Sequence, residues 1–236
     1  MLMKSYEPST VRLFHRLFKV AINAAVDSEI IQRNRFTKIT IPVSEELDDN
    51  FLTPEEHNAF LAAAKQLENI TNYTTILLLA YTGLRKGEAL GLTWNNVDFE
   101  KNTITVERTR DKNGARTPKT KNSYRTIRID DELIQQLKLY RNWCKQTMLS
   151  FGKHLLDKDY IFISYQTGTP TGENTIKYAF GRIIKKTGLK TITPHGLRHT
   201  HATILIGKNQ PVNVIAERLG NIPQMIWDTY GHNYKA

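Results

Sequence analysis

The sequence predicts an α+β protein, mainly α-helical: a helical domain with a small antiparallel sheet, preceded by part of another helical unit. Three observations predict it. Most apolar residues recur at helical spacing, in runs bounded by caps and glycines. Two short strand-like runs, 103–106 and 124–129, are joined by a polar loop. A polar, acidic segment with Pro42 separates the first helix from the rest.

The elements follow in chain order. Pro8 suits a first helical turn, and Val11, Phe14, Leu17, Phe18, Ala21, Ala25 and Val26 form one stripe. A single helix cannot bury such a stripe, so its partners are expected from outside this chain or from another chain. From about Gln32 to Asn50 the chain reads as a linker, with Glu45, Glu46, Asp48 and Asp49 clustered. The expected division is therefore 1–47 and 48–236. Thr53-Pro54-Glu55-Glu56 opens the second part with a capping box and a proline at the first helical position. A helix to about Leu67 follows, then one over 72–81. Thr82-Gly83 breaks it, and a short helix runs to Leu90 with Gly91 as its stop. After the two strands, helix returns over 131–149, a short strand is expected at 160–163, and helices at about 173–187, 194–206 and 212–219. The tail from Asn221 reads as irregular or briefly helical.

The formal net charge of +10 and the pI of about 9.6 suit a polyanionic partner, nucleic acid or an anionic membrane surface. The charge is unevenly placed. Residues 101–128 hold nine basic side chains against two acidic, and residues 174–216 hold seven basic and no acidic ones. Two basic blocks flanking one set of reactive residues fit a channel that tracks phosphates. The single cysteine, Cys144, excludes an intrachain disulfide and a thiolate metal site, and fits a reducing, cytosolic setting. The longest apolar run, 76–81, is far short of the ~20 residues that span a bilayer, and the N-terminus lacks the order of a secretory signal.

Chemistry-bearing residues fall in three places. Thr82-Gly83-Leu84-Arg85-Lys86-Gly87-Glu88 puts a cation after a sharp turn, with Glu88 three residues on to orient Arg85. Pro194-His195-Gly196-Leu197-Arg198-His199 puts His195 and Arg198 on one face at a helix start, where Thr193 can cap and free N–H groups point. Asp228-Thr229-Tyr230-Gly231-His232 offers an aromatic hydroxyl beside a glycine. His195 and His199, four apart, could form half a zinc site, but no third ligand is evident. A Gly-rich nucleotide loop and a magnesium-holding carboxylate cluster are both absent from the sequence.

The set TGLRKGE at 82–88, PKTKNSYRTIRI at 118–129, HGLRHTHAT at 195–203, RLGN at 218–221 and DTYGH at 228–232 resembles the tyrosine recombinase (phage integrase) family, over about residues 50–236. The first helix is similar to the last helix of that family's DNA-binding core-binding domain. The resemblance implies a helical catalytic domain and a metal-free transesterification with no cofactor. Tyr230 would attack the scissile phosphate of double-stranded DNA, form a 3′-phosphotyrosine and release a 5′-hydroxyl. Arg85 and Arg198 would hold the transition-state oxygens, His195 would assist proton movement, and Lys119 would protonate the leaving oxygen, with Lys121 the nearby alternative. Lys86, Lys121, Arg125 and His199 are expected on DNA. Asn221 stands where the family most often has histidine. The resemblance implies a site-specific recombinase of a prophage or mobile element, cytoplasmic and nucleoid-associated, working as a homo-oligomer, a tetramer in the synapse. Its alternatives are a catalytically weakened DNA-binding protein of the same fold, to which Asn221 points, and a type IB topoisomerase-like enzyme.

Overall fold

A computed structural model of the chain describes residues 6, 8–39, 41, 50–117 and 123–230, apart from the side chain of Ser9. Lys119, Lys121 and His232, and most of the acidic linker, lie outside those residues. The chain forms two compact units, Met1–Asp49 and Asn50–Ala236.

The first unit holds α1 (Pro8–Asp27). Its apolar stripe is only partly used: Phe18 packs edge-on against Phe36 at 5.1 Å, and Tyr6 against Phe14 at 5.5 Å. Leu13, Leu17, Phe18 and Val20 remain exposed.

The second unit runs α2 (Pro54–Leu67), α3 (Ile70–Thr82), α4 (Lys86–Gly91), a 3-10 turn at Trp94–Asn96, β1 (Val97–Asp98), β2 (Thr103–Val106), β3 (Thr109–Asp111), β4 (Gly114–Arg116), β5 (Arg125–Arg128), α5 (Asp131–Ser150), α6 (Glu173–Thr187), α7 (Pro194–Gly207), α8 (Val212–Leu219) and α9 (Pro223–Tyr230). The capping box forms as expected: the Thr53 hydroxyl accepts from Glu56 N at 3.2 Å, and Glu56 Oε2 accepts from Thr53 N at 2.8 Å. The helix expected over 72–81 starts two residues earlier, because the Asn69 side chain caps it, accepting from Asn72 N at 2.9 Å. This α3 is buried on every side, Ile76 to Leu79 included, with α2, α5, α6 and α7 packed around it. Its second half, residues 76–80, is apolar all round, as suits the centre of a core.

In the three-stranded sheet the order is β1-β2-β5, all antiparallel, with Val97 opposite Ile104 and Val106 opposite Arg125. The loop expected between the two strands instead contains the β3–β4 hairpin, in which Arg110 pairs with Ala115. At 160–163 the chain makes only isolated bridges, Thr93 with Tyr160 and Ile163 with Pro170, rather than a strand. Gly91 does not stop α4 as a cap; it is the last helical residue, and Leu92 caps it. A Cβ there would lie 3.0 Å from Arg108 O and 3.1 Å from Thr109 Cα, so glycine is what lets α4 lie against β3.

Two apolar clusters result. The larger joins α2 to α7 and the sheet. A smaller one, Ala202, Ile206, Ile215, Ala216, Leu219, Ile226 and Tyr230, joins α7, α8 and α9. Among the described residues no helix is long and apolar enough to cross a membrane.

Candidate active site

The site begins where α3 ends. Gly83 takes φ +65°, the left-handed geometry that closes the helix, and its N–H donates to Leu79 O at 3.0 Å. A Cβ at this position would also lie 2.6 Å from Leu219 Cδ2 and 2.9 Å from His201 Cδ2. The turn presents Arg85 as the residue before α4. Glu88, one turn on, accepts from Arg85 N and from Arg85 Nη1, both at 2.9 Å. Gly87 gives α4 its close approach to β3: a Cβ would sit 2.4 Å from Thr109 Oγ1. The expected pairing of Arg85 with Glu88 is therefore present.

Glu88 is shared. Arg125 Nη2 donates to its Oε2 at 2.9 Å and Nη1 to its Oε1 at 3.3 Å, while Arg125 Nε donates to Arg218 O at 2.8 Å. Both side chains of the pair are 4% exposed. Burial alone would raise the Glu88 carboxyl; the hydrogen bond and charge of Arg125, then the N–H and charge of Arg85, outweigh it and hold the carboxyl below its ordinary value. Arg125, expected on DNA, is thus corrected to a buried support. The strand alternation places it on the inner face with Ile127, while Thr126 and Arg128 face out.

From the other side comes α7. Thr193 caps it, accepting from Gly196 N at 3.2 Å, as expected. Asn50 braces the cap, accepting from Thr193 N at 3.1 Å, and leaves no room for a side chain at Gly196, where a Cβ would meet Asn50 Oδ1 at 2.4 Å. Arg198 is buried, donating to Gly83 O at 2.9 Å and Leu219 O at 2.7 Å. Those two bonds tie the ends of α3 and α8 to α7. Burial pulls the guanidinium down to about 10, the positive charge of Arg85 adds to that, and Glu88 opposes it. It stays charged at neutral pH. Arg85, Arg125 and Arg198 surround the single carboxylate of Glu88, so the cluster carries net positive charge, as an anion site requires.

His195 and His199 lie one turn apart on α7 and pack edge to face, ring centres 4.6 Å apart at 89°. His195 is exposed; His199 is partly buried. The short α9 brings Tyr230 in from the far end of the chain. Its hydroxyl lies 2.6 Å from His199 Nδ1, and its ring, 7% exposed, is seated in the smaller apolar cluster.

Asn221 has two functions. Its N–H donates to Ala216 O at 2.9 Å, closing α8 after Gly220 at φ +67°, and its Oδ1 accepts from Arg85 Nη2 at 2.9 Å. With Oδ1 turned to Arg85, the amide N–H2 points away from it. Asn221 thus both closes α8 and holds the Arg85 guanidinium.

The other expected DNA contacts disperse. Lys86 lies 3.7 Å from Glu173, and His199 is on Tyr230. Sequence reasoning missed Arg218 and His201 as a joint. Arg218 donates to His201 Nε2, Arg128 O and Tyr81 O at 2.9–3.0 Å, and His201 Nδ1 lies 3.0 Å from Ala80 O. Since Nε2 accepts from the guanidinium, Nδ1 carries the proton and donates. One side chain thereby holds α8 to α3, α7 and β5, with the spacing Arg218-Leu219-Gly220 as the only sequence signal.

The model of the phage integrase family matches residues 50–236. The chain belongs to the phage integrase family. This integrase-family chain is 32% identical over 233 residues to a XerC-like tyrosine recombinase of Caldanaerobacter subterraneus subsp. tengcongensis, covering 90% of this chain and 59% of that protein. It is 30% identical over 220 residues to the ICEBs1 integrase of Bacillus subtilis, covering 90% of this chain and 58% of that protein. The chain therefore spans less than two thirds of the length of these curated relatives. Among solved structures, the Tn1549 transposon integrase in complex with transposon right end DNA superimposes with a TM-score of 0.81 at 25% identity, covering 98% of this chain and 77% of that one. A lambda integrase dimer bound to a core site shares the fold, with a TM-score of 0.70 at 17% identity, covering 96% of this chain and 59% of that one.

Proposed function

We propose that this chain is the catalytic part of a site-specific DNA recombinase of a prophage or other mobile element, acting on double-stranded DNA in the cytoplasm. The observation that carries the reading is the position of Tyr230: α9 sets its hydroxyl against α7, the helix that also bears His195 and Arg198. The family of the chain, and relatives named as the ICEBs1 integrase and a prophage ps2 probable integrase, support it.

In this reading Tyr230 attacks the scissile phosphorus, the 3′-phosphotyrosine bond forms and the 5′-oxygen leaves. A second strand's 5′-hydroxyl reverses the step and joins the strands. The trigonal oxygens of the phosphorane fall to Arg85 and Arg198, whose planar forks match paired phosphate oxygens. Arg85 is fit for this because its side chain is 40% exposed while Glu88 and Asn221 fix its plane. Lys119 protonates the leaving oxygen, with Lys121 the alternative. His195 helps to move a proton or hold the phosphate, and the Asn221 amide can donate to a phosphate oxygen but cannot carry a proton. Lys86 tracks the DNA backbone beside the site. The first unit is read as the C-terminal fragment of the core-binding domain, the exposed part of its stripe covered by helices from outside this chain or from another chain. Assembly on DNA is as a homo-oligomer, four protomers on two duplexes.

The test is strand exchange. Two labelled duplexes carrying a site captured by the chain are incubated with it in EDTA. Recombinant joints are expected, and none with Tyr230→Phe. Relaxation of supercoils without joining of partners would move the assignment to a topoisomerase-like enzyme, and binding without any cleavage would move it to a DNA-binding protein.

A further inference from the structure

We infer that His199 is the base that takes the proton from Tyr230 as the tyrosine attacks, a catalytic role separate from that of His195; this rests on the recombinase reading above. A phenol with pKa ~10 is a weak nucleophile at neutral pH unless a base accepts its proton. The nitrogen the structure sets at 2.6 Å from the Tyr230 oxygen is His199 Nδ1. That distance is within reach for direct proton transfer. Accepting at Nδ1 requires the neutral ring with its proton on Nε2.

The geometry of displacement favours a dedicated base. Attacking and leaving oxygens lie roughly in line on opposite sides of phosphorus. The group that deprotonates the nucleophile must therefore sit on the tyrosine side, and the group that protonates the leaving oxygen on the other. His199 is on the tyrosine side by direct contact. Its ring is clamped by two aromatic neighbours, His195 edge-on at 4.6 Å and Tyr230 at 5.5 Å between ring centres. The spacing of four residues on α7 places His199 one turn deeper than His195, beside the smaller apolar cluster that seats Tyr230.

The Tyr230 Oη–P bond forms, the P–O5′ bond breaks, the Tyr230 proton passes to His199 Nδ1, and O5′ receives a proton from a separate acid, the role proposed for Lys119. On rejoining, an incoming 5′-hydroxyl gives its proton back to that same acid's conjugate base and attacks phosphorus, and Tyr230 leaves with the proton returned by His199.

The probe is a nicked suicide duplex selected by covalent capture on the parent chain from a pool of random sequence. It is made with either the ordinary 5′-oxygen or a 5′-bridging sulfur at the cut. A thiolate leaves without protonation, so sulfur relieves a defect on the leaving side and not one on the attacking side. His199→Ala and His199→Gln are compared, the second keeping a hydrogen-bonding side chain that cannot take up a proton. Adduct formation is expected to fall by on the order of 10²–10⁴-fold in both variants, on both duplexes, with DNA affinity held within about threefold. If His199→Ala fails to fold, His199→Gln carries the test. Adduct formation by His199→Gln within about threefold of the parent would overturn the inference, and so would a defect that sulfur abolishes. A parent chain that captures no duplex overturns the recombinase reading and this inference together, whereas a parent that captures DNA beside an unimpaired His199→Gln overturns this inference alone.

Discussion

At the scale of single residues, the site depends on buried charges that hold one another. Glu88 is the hub: it fixes Arg85 for work on the exposed side and neutralises Arg125 on the buried side. Breaking a buried pair from one end leaves the other charge stranded, typically at about 3–5 kcal/mol. Arg125→Ala should therefore destabilise the chain by about that amount in urea titration. A loss below about 1 kcal/mol would contradict the support role. His201 gives a prediction with a sign. Burial, then the charge of Arg218, pulls its imidazole from 6.5 down to about 3. Because the folded value lies below the unfolded one, its contribution is complete above about pH 6.5 and drains away as pH falls toward 3. Urea midpoints of the parent should fall between pH 7 and 5, and His201→Gln, less stable at pH 7, should show a flatter profile; equal slopes would contradict the assignment. Arg125 also shows where residue-level reading fell short. Its charge in a basic stretch suggested DNA, while the alternation it shares with Ile127 and Ile129 already placed it on the inner face. The partnership of Tyr230 with His199 could not be read at all, since the two lie 31 residues apart with α8 between them.

At the scale of elements, glycines set how closely helices and strands meet. Gly87 and Gly91 both face the β3 backbone or side chains, and the pair explains why α4 lies directly on that hairpin. Gly87→Ala should cost about 1–3 kcal/mol by overpacking against the Thr109 hydroxyl. Thr109→Ala in the same chain removes the clashing atom and should restore most of the loss, a coupling above about 0.5 kcal/mol in a double-mutant cycle. Additive effects would show that the approach is not limited by that contact. The helices were legible because caps and periodicity agree: Thr53, Thr193 and the glycines after α3, α6 and α8 all sit where their chemistry demands. The β3–β4 hairpin was not, because its strands are three residues long, half-exposed or exposed, and polar, so no alternation marks them. Asn113-Gly114, a common hairpin-turn pair, was the one available signal. The short α9 was legible only as a tail either irregular or briefly helical, since one buried turn, Ile226 to Tyr230, is too little pattern to read.

At the scale of the whole molecule, the arginine, histidine and tyrosine motifs are spread over 146 positions, from Arg85 to Tyr230; the fold brings Arg85 and Arg198 to the end of one buried helix and sets Tyr230 against α7. The surplus of positive charge, +10, is the long-range counterpart of that cluster. Binding to duplex DNA should weaken steeply with salt, on the order of 10³-fold or more between about 50 and 200 mM if six or more phosphates are neutralised. A salt-insensitive affinity would contradict a phosphate-tracking surface. The central claim, that Tyr230 is the nucleophile, is tested most directly by mapping the covalent bond. The chain is reacted with a nicked suicide duplex, digested with protease and nuclease, and the nucleotide-bearing peptide is sequenced by mass spectrometry. A 3′-phosphate linked to Tyr230 is the predicted result. A linkage to any other residue, or cleavage that leaves no protein–DNA bond, would contradict it.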